Sequence, residues 1–110
     1  MDEPMELVLG SLLLRCDRGM IELFTHRRPT PDMRVPVRWF SVAVTFDKRG
    51  RGKPRFGTVP SAETPLHGDD PDVLEYSHTP AGHISRDQEQ ELLRFLSAIA
   101  ERYNRRLTTG

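Results

Sequence analysis

Apolar and polar residues alternate along the first quarter of the chain in the manner of β-strands. The runs ELVLGSLLLRC and GMIELFTH are separated by the three-residue connection Asp17–Gly19, whose glycine favours a hairpin. In the second run Ile21 and Leu23 lie on one face, whereas Met20 and Phe24 lie on the other. Both faces carry apolar side chains, as expected where a sheet curls over a core.

The strongest strand pattern is RVPVRWFSVAVTF, residues 34–46. Its apolar face switches between Trp39 and Phe40, which a strict period of two forbids, so the pattern predicts a bulge or a sharp bend there. The turn-rich DKRGRGKP follows, and RFGTV then pairs back as a further strand. The strands are therefore predicted to occupy residues 5–59.

A long polar connection, residues 60–84, follows the predicted strands. It consists mainly of Pro, Gly, Ser, Thr, His and acidic residues, and only VLEY, residues 73–76, resembles a short strand. A connection of this length is unusual in a compact domain, which indicates a functional loop or an excursion from the core.

The apolar period changes to that of a helix after Ser85. Ser85 and Gln88 form a capping-box pattern, which predicts a helix over residues 86–104. The apolar stripe comprises Leu92, Leu93, Leu96, Ile99, Ala100 and Tyr103. Antiparallel strands followed by one amphipathic helix predict a single α+β domain over residues 1–110.

The hairpin SLLLRCDRGMIELF, the segment VPVRWFSVAV and the helix QELLRFLSAIAERY together resemble the bacterial pleckstrin-homology-like domains. The resemblance implies a small curved antiparallel sheet, or a partly open barrel, with the C-terminal amphipathic helix packed on it. Seven strands are expected in that family, and the pattern indicates four or five. Residues 60–84 would have to supply the others.

Composition and charge change the picture in two ways. The net charge is zero, but residues 15–55 carry eleven basic and four acidic residues, whereas residues 56–91 carry one and eight. This asymmetry is typical of internal complementarity or of two binding faces. No apolar run approaches the ~20 residues of a membrane span, and the acidic start does not resemble a secretory signal. With a single cysteine, Cys16, a cytoplasmic location is expected.

The turn after the third apolar run holds five basic residues around two glycines: Lys48, Arg49, Arg51, Lys53 and Arg55. Arginine side chains and glycine N–H groups suit phosphate, so these residues are the candidate anion- or partner-binding site. Nearby aromatic residues (Trp39, Phe40 and Phe56) suggest nucleic acid as an alternative partner. A solvated hairpin tip without a ligand is the simplest interpretation.

The stretch HGDDPDVLEYSHTPAGH, residues 67–83, contains three of the four histidines. His67, Asp69, His78 and His83 are the candidate ligands of a metal site, although their spacing matches no recognised motif. Its prolines, glycines and adjacent aspartates favour a solvated acidic loop or a protein-contact loop instead.

Phosphate-binding, dinucleotide, serine-nucleophile and paired-cysteine motifs are absent from the sequence, so no catalytic residue and no cofactor are predicted. We expect a non-enzymatic binding or interaction module for a protein partner or an anionic ligand. A small nucleic-acid-binding β-domain that uses residues 48–55 is the alternative. A metal protein or enzyme that uses His67, His78 and His83 is less favoured.

Overall fold

The computed structural model describes residues 3–26 and 28–108, which form two four-stranded sheets and a C-terminal helix. The α+β class and the single small domain are confirmed, and the described strands do not close into a barrel. The strands of the first sheet are β1 (Met5–Leu9), β2 (Leu12–Asp17), β3 (Met20–Thr25) and β4 (Met33–Pro36). The strands of the second sheet are β5 (Phe40–Phe46), β6 (Gly52–Thr58), β7 (His67–Gly68) and β8 (Tyr76–His78).

The first sheet is an antiparallel meander in the order β1-β2-β3-β4. The expected hairpin joins β2 to β3 through two residues, Arg18 and Gly19, because Asp17 still pairs with Met20. Both turn residues have positive φ, 52° and 78°, the conformation of the tight hairpin turns whose twist matches that of the strands. A second turn at Gly10, which the sequence interpretation missed, divides the first apolar run into β1 and β2.

The strand pattern of residues 34–46 is interrupted where the bend was predicted, and there the chain passes from the first sheet to the second. A 3₁₀ turn, Val37–Trp39, separates β4 from β5. Val37, the first residue of the turn, and Phe40, which follows the turn, are both buried, whereas Trp39 is 38% exposed. The switch of apolar face that predicted a bend therefore marks the passage from one sheet to the other.

The second sheet has the order β7-β5-β6-β8, with β7 parallel to β5 and the other pairs antiparallel. Residues 60–84 thus contribute two short strands, one more than the possible short strand predicted at residues 73–76. The strand expected at residues 73–76 begins only at Tyr76, because a 3₁₀ turn occupies Pro71–Val73. The Asp70 carboxylate initiates that turn by accepting from Asp72 N at 3.0 Å.

The helix α1 runs from Arg86 to Tyr103. Its capping box is formed in both directions, with Gln88 N donating to Ser85 Oγ at 3.1 Å and Ser85 N donating to Gln88 Oε1 at 2.9 Å. Its buried residues are Leu92, Phe95, Leu96, Ile99 and Ala100, which join the buried apolar residues of both sheets in one core. Within the described residues, no helix combines the length and the apolarity that a membrane crossing requires.

The segment after α1 fastens the long connection to the core. Leu66 N donates to Arg106 O and His67 N donates to Leu107 O, both at 2.9 Å. The Leu66 side chain is fully buried. These contacts hold the start of residues 60–84 against the body of the domain.

Candidate functional site

A groove of about 520 Å³ lies between the β4 edge of the first sheet and the β8 edge of the second. β4 pairs only with β3, and β8 pairs only with β6, so both are edge strands within the described part of the chain. The groove is lined by Arg34, Val35, Pro36, Trp39, Thr58, Val59, Pro60, Glu75 and Tyr76. It occupies the opening that remains because the two sheets do not join at these edges.

Two exposed aromatic side chains line the groove. Trp39 is 38% exposed and Tyr76 is 77% exposed, although most large apolar side chains are buried in folded proteins. The buried neighbours Val37 and Phe40 account for the position of Trp39, since the 3₁₀ turn leaves it outside the core. Tyr76 lies opposite Thr58 at the start of β8. Exposed Trp and Tyr side chains that line one groove are typical of binding surfaces.

The walls of the groove are held by backbone hydrogen bonds. Val59 N donates to Trp39 O at 2.8 Å, and Glu75 N donates to Thr58 O at 2.8 Å. Gly57 makes the approach of β8 possible, because a Cβ atom at this position would collide with Tyr76 O and would lie 3.2 Å from Ser77 Cα. The positions of both aromatic residues are therefore set by β6 and the residue that follows it.

Charged groups flank the aromatic pair. Arg34 lines the groove on the β4 side, and the Arg38 guanidinium carbon lies 5.7 Å from the centroid of the Trp39 ring. Neither arginine takes part in a salt bridge within residues 3–26 and 28–108. Glu75 lies on the β8 side. The β4 side of the groove thus carries arginines that form no salt bridge, and the β8 side carries one carboxylate.

The basic hairpin predicted from the sequence closes around its own acidic residue. The Asp47 carboxylate accepts from Arg49 N at 2.9 Å, from Arg51 N at 3.0 Å and from Arg51 Nε at 2.9 Å. The hydrogen bond from Arg51 N is the main cause that holds the pKa of Asp47 below its usual value. The N–H groups that would hold a phosphate at this tip are already donated to Asp47.

The five candidate basic residues differ in their surroundings. Arg51 is bound to Asp47, and Arg55 Nε donates to Thr79 Oγ1 at 3.2 Å. Lys48, Arg49 and Lys53 are exposed and form no salt bridge with any other described residue. Their binding role stays a prediction.

The aromatic residues considered with this basic hairpin do not flank its tip. Phe40 and Phe56 are fully buried and stack on each other with ring centroids 6.3 Å apart. Trp39 precedes β5, whereas the hairpin tip follows the other end of that strand. These three side chains therefore offer no stacking surface beside the five cations.

The histidine-rich stretch is divided among several surroundings. His67 is in β7, His78 is in β8, and His83 is an exposed loop residue. Among the residues that the structure describes, no group of three or more His, Cys, Asp or Glu side chains is arranged to hold a metal ion. The candidate ligands His67, Asp69, His78 and His83 thus form no such group.

His67 instead faces the first turn of α1. Its Nε2 lies 3.4 Å from Glu89 Oε2, with both side chains 12% exposed, and this buried nitrogen has no hydrogen-bond partner among the described residues. Burial lowers the pKa of His67, and the Glu89 carboxylate opposes that shift. The contact joins β7, an edge strand of the second sheet, to the helix.

From the sequence, Trp39 is a possible stacking residue for nucleic acid, but neither Trp39 nor Tyr76 is among the candidate site residues. Trp39 stands in a strongly apolar segment, a position that favours the core, and Tyr76 belongs to the short strand expected at residues 73–76. The available signal was the switch of apolar face, which leaves one of two adjacent aromatic residues outside the core.

Comparison with known proteins adds no further assignment. No protein family, curated protein or solved structure matches this chain.

Proposed function

We propose that this protein is a non-enzymatic interaction module that binds a peptide segment of a protein partner in the groove between β4 and β8. The observation that carries the proposal is the pair of exposed aromatic residues, Trp39 and Tyr76, between two edge strands. Aromatic residues in a concave site supply contact area at low entropic cost, and binding energy at interfaces is concentrated in such residues.

The pleckstrin-homology-like assignment and a cytoplasmic location belong to the same proposal. A four-stranded meander, a second small sheet and a C-terminal helix packed in the core support the assignment. A single buried free thiol, Cys16, is consistent with a reducing compartment.

Anion binding at residues 48–55 is the weaker alternative. Asp47 takes the backbone N–H groups at the tip and the side chain of Arg51, so an incoming phosphate would compete with an internal carboxylate. Nucleic-acid binding meets the same competition and lacks an aromatic surface from Phe40 or Phe56. The groove, by contrast, has two exposed aromatic side chains, Trp39 and Tyr76.

Selection from a displayed library of random peptides tests the proposal. The full chain is the bait, and the Trp39→Ala/Tyr76→Ala double variant is used for counter-selection. We expect enriched peptides that bind the wild type and change the emission of Trp39, the single tryptophan of the chain. Failure to enrich any peptide, or binding that the double variant retains, would overturn the proposal. Val73→Ala is the matched control, since Val73 is an exposed apolar residue that does not line this groove.

A further inference from the structure

The groove offers few backbone donors to a peptide that would bind by strand addition. Val37 N donates to Gly19 O, so these two residues form a hydrogen-bonded pair in the register of β3 and β4. Hydrogen-bonded and non-hydrogen-bonded pairs alternate along an antiparallel ladder, so the backbone polar groups of Arg34 and Pro36 point away from β3. Pro36 has no N–H, so only the Arg34 N–H faces outward along this part of β4. An extended strand needs a regular series of donors and acceptors, which this edge does not supply.

The opposite wall has the same deficiency. The N–H groups of Val59 and Glu75 are donated to Trp39 O and Thr58 O, and Pro60 has no N–H. The donors that line the groove therefore come mainly from side chains, among them the Trp39 indole N–H and the Tyr76 hydroxyl. This distribution of donors fits a ligand that presents carbonyl oxygens but does not require the regular backbone hydrogen bonds of a β-ladder.

On these grounds we infer that the ligand of the groove is a proline-rich peptide in the polyproline II conformation, with an acidic residue placed beside Arg34. The inference rests on the proposed function and names the class of peptide. A polyproline II segment has no internal hydrogen bonds, its carbonyl groups project outward, and its rings dock between aromatic side chains. Trp39 and Tyr76 provide such aromatic walls.

The acidic requirement follows from the charges of the groove. Arg34 and Arg38 lie on the Trp39 side and form no salt bridge in the described part of the chain, although Glu22 is the cross-strand neighbour of Arg34. A glutamate or aspartate of the peptide gains a charge-assisted hydrogen bond there. Glu75 on the other side disfavours an acidic residue, so the charge also sets the direction of the peptide.

Three short synthetic peptides of equal length test the inference, with binding followed by Trp39 emission. One has consecutive prolines with glutamates at one end, the second has lysines in place of the glutamates, and the third has alternating threonine and valine with the same glutamates. We expect the acidic proline peptide to bind at least about tenfold more tightly than either of the others. Tyr76→Ala should abolish this binding, and Arg34→Glu should remove the preference for glutamate over lysine.

The contrary results are distinct. Equal or tighter binding of the threonine–valine peptide would show strand addition, and equal binding of the lysine peptide would refute the charge assignment. A dimer of the wild type that Tyr76→Ala dissociates would show that a second copy occupies the groove. Each of these results overturns the inference while the groove remains a binding surface. Absence of any peptide dependent on Trp39 and Tyr76 in the display selection overturns the proposed function itself.

Discussion

Arg105 Nη1 donates to the carbonyl oxygen of Val37 at 2.5 Å, which ties the chain beyond α1 to the 3₁₀ turn that carries Trp39. The same buried guanidinium donates to Phe40 O at 2.7 Å, to Ala62 O at 3.2 Å and to Thr64 O. Burial lowers the pKa of Arg105 from its very high ordinary value. Four backbone carbonyl groups thus take the place of a carboxylate partner, and one side chain holds the turn, the long connection and the helix end together.

Replacing Arg105 with alanine should destabilise the fold by about 2–4 kcal/mol, because several buried carbonyl groups lose a charged donor. Arg106→Ala should change the free energy of unfolding by less than about 0.5 kcal/mol, because its side chain is exposed. Urea denaturation of the two variants measures both values. Similar losses would show that the four contacts of Arg105 contribute little.

Gly57→Ala should weaken peptide binding, because the added methyl group collides with the Tyr76 carbonyl and forces β8 away from β6. The cost in stability should be about 1–3 kcal/mol, as for overpacking of a close contact. Gly68→Ala is the matched control, since no atom lies within 4 Å of a Cβ placed there. Affinity for a peptide from the display selection, with unfolding by urea in parallel, tests the pair. Unchanged affinity of the Gly57→Ala variant would show that the position of β8 does not affect peptide binding.

Leu96→Ala should cost about 2–5 kcal/mol, because Leu96 is fully buried on the core face of α1. Lys53→Ala should cost less than about 0.5 kcal/mol, since that side chain is exposed on β6. Thermal and urea unfolding report both values. Equal effects would contradict the position of the core.

Stability should fall as the pH is lowered from neutral, because burial lowers the pKa of His67. The unfolded chain then binds the proton more readily, so the loss begins near pH ~6.5, the ordinary pKa of histidine, and continues down to the lowered pKa of the folded state. His67→Gln should flatten the dependence in this window. Asp47, whose pKa is also lowered, loses its contribution only at more acidic pH, below ~4.

The Glu89 carboxylate gives an independent check on the surroundings of His67 and on the direction of its pKa shift. Because Glu89 raises the pKa of His67 against the effect of burial, Glu89→Gln should lower the pKa of His67 further. NMR titration of the imidazole protons in both proteins measures the shift. An increase in the pKa of His67 would contradict the contact between β7 and α1.

The parts of the fold that depend on local pattern could be predicted from the sequence. Ser85 and Gln88 mark the start of α1, and the alternation at Ile21 and Leu23 identifies the buried face of β3, because capping and burial act between residues close in the chain. The switch at Trp39 predicted a bend, but whether a bend stays within one sheet or passes to another depends on distant partners.

The groove could not be predicted from the sequence for the same physical reason. Trp39 and Tyr76 are 37 positions apart in the chain and share a groove only because β4 and β8 both lie at sheet edges. The basic residues at 48–55 form a cluster that is visible in the sequence, yet the Asp47 contacts at the tip of the hairpin depend on the geometry of the turn. Arg105 gave no signal, because a buried arginine and an exposed one are identical in sequence.

Amide shift mapping by NMR with a peptide from the display selection tests the central claim most directly, which is that the groove between β4 and β8 is the binding surface. The largest changes should fall on Arg34–Trp39, on Thr58 and Val59, and on Glu75 and Tyr76, with the Trp39 indole N–H among them. The residues of the basic hairpin at 47–53 should be unchanged. Changes centred on that hairpin, with the groove unaffected, would contradict the account.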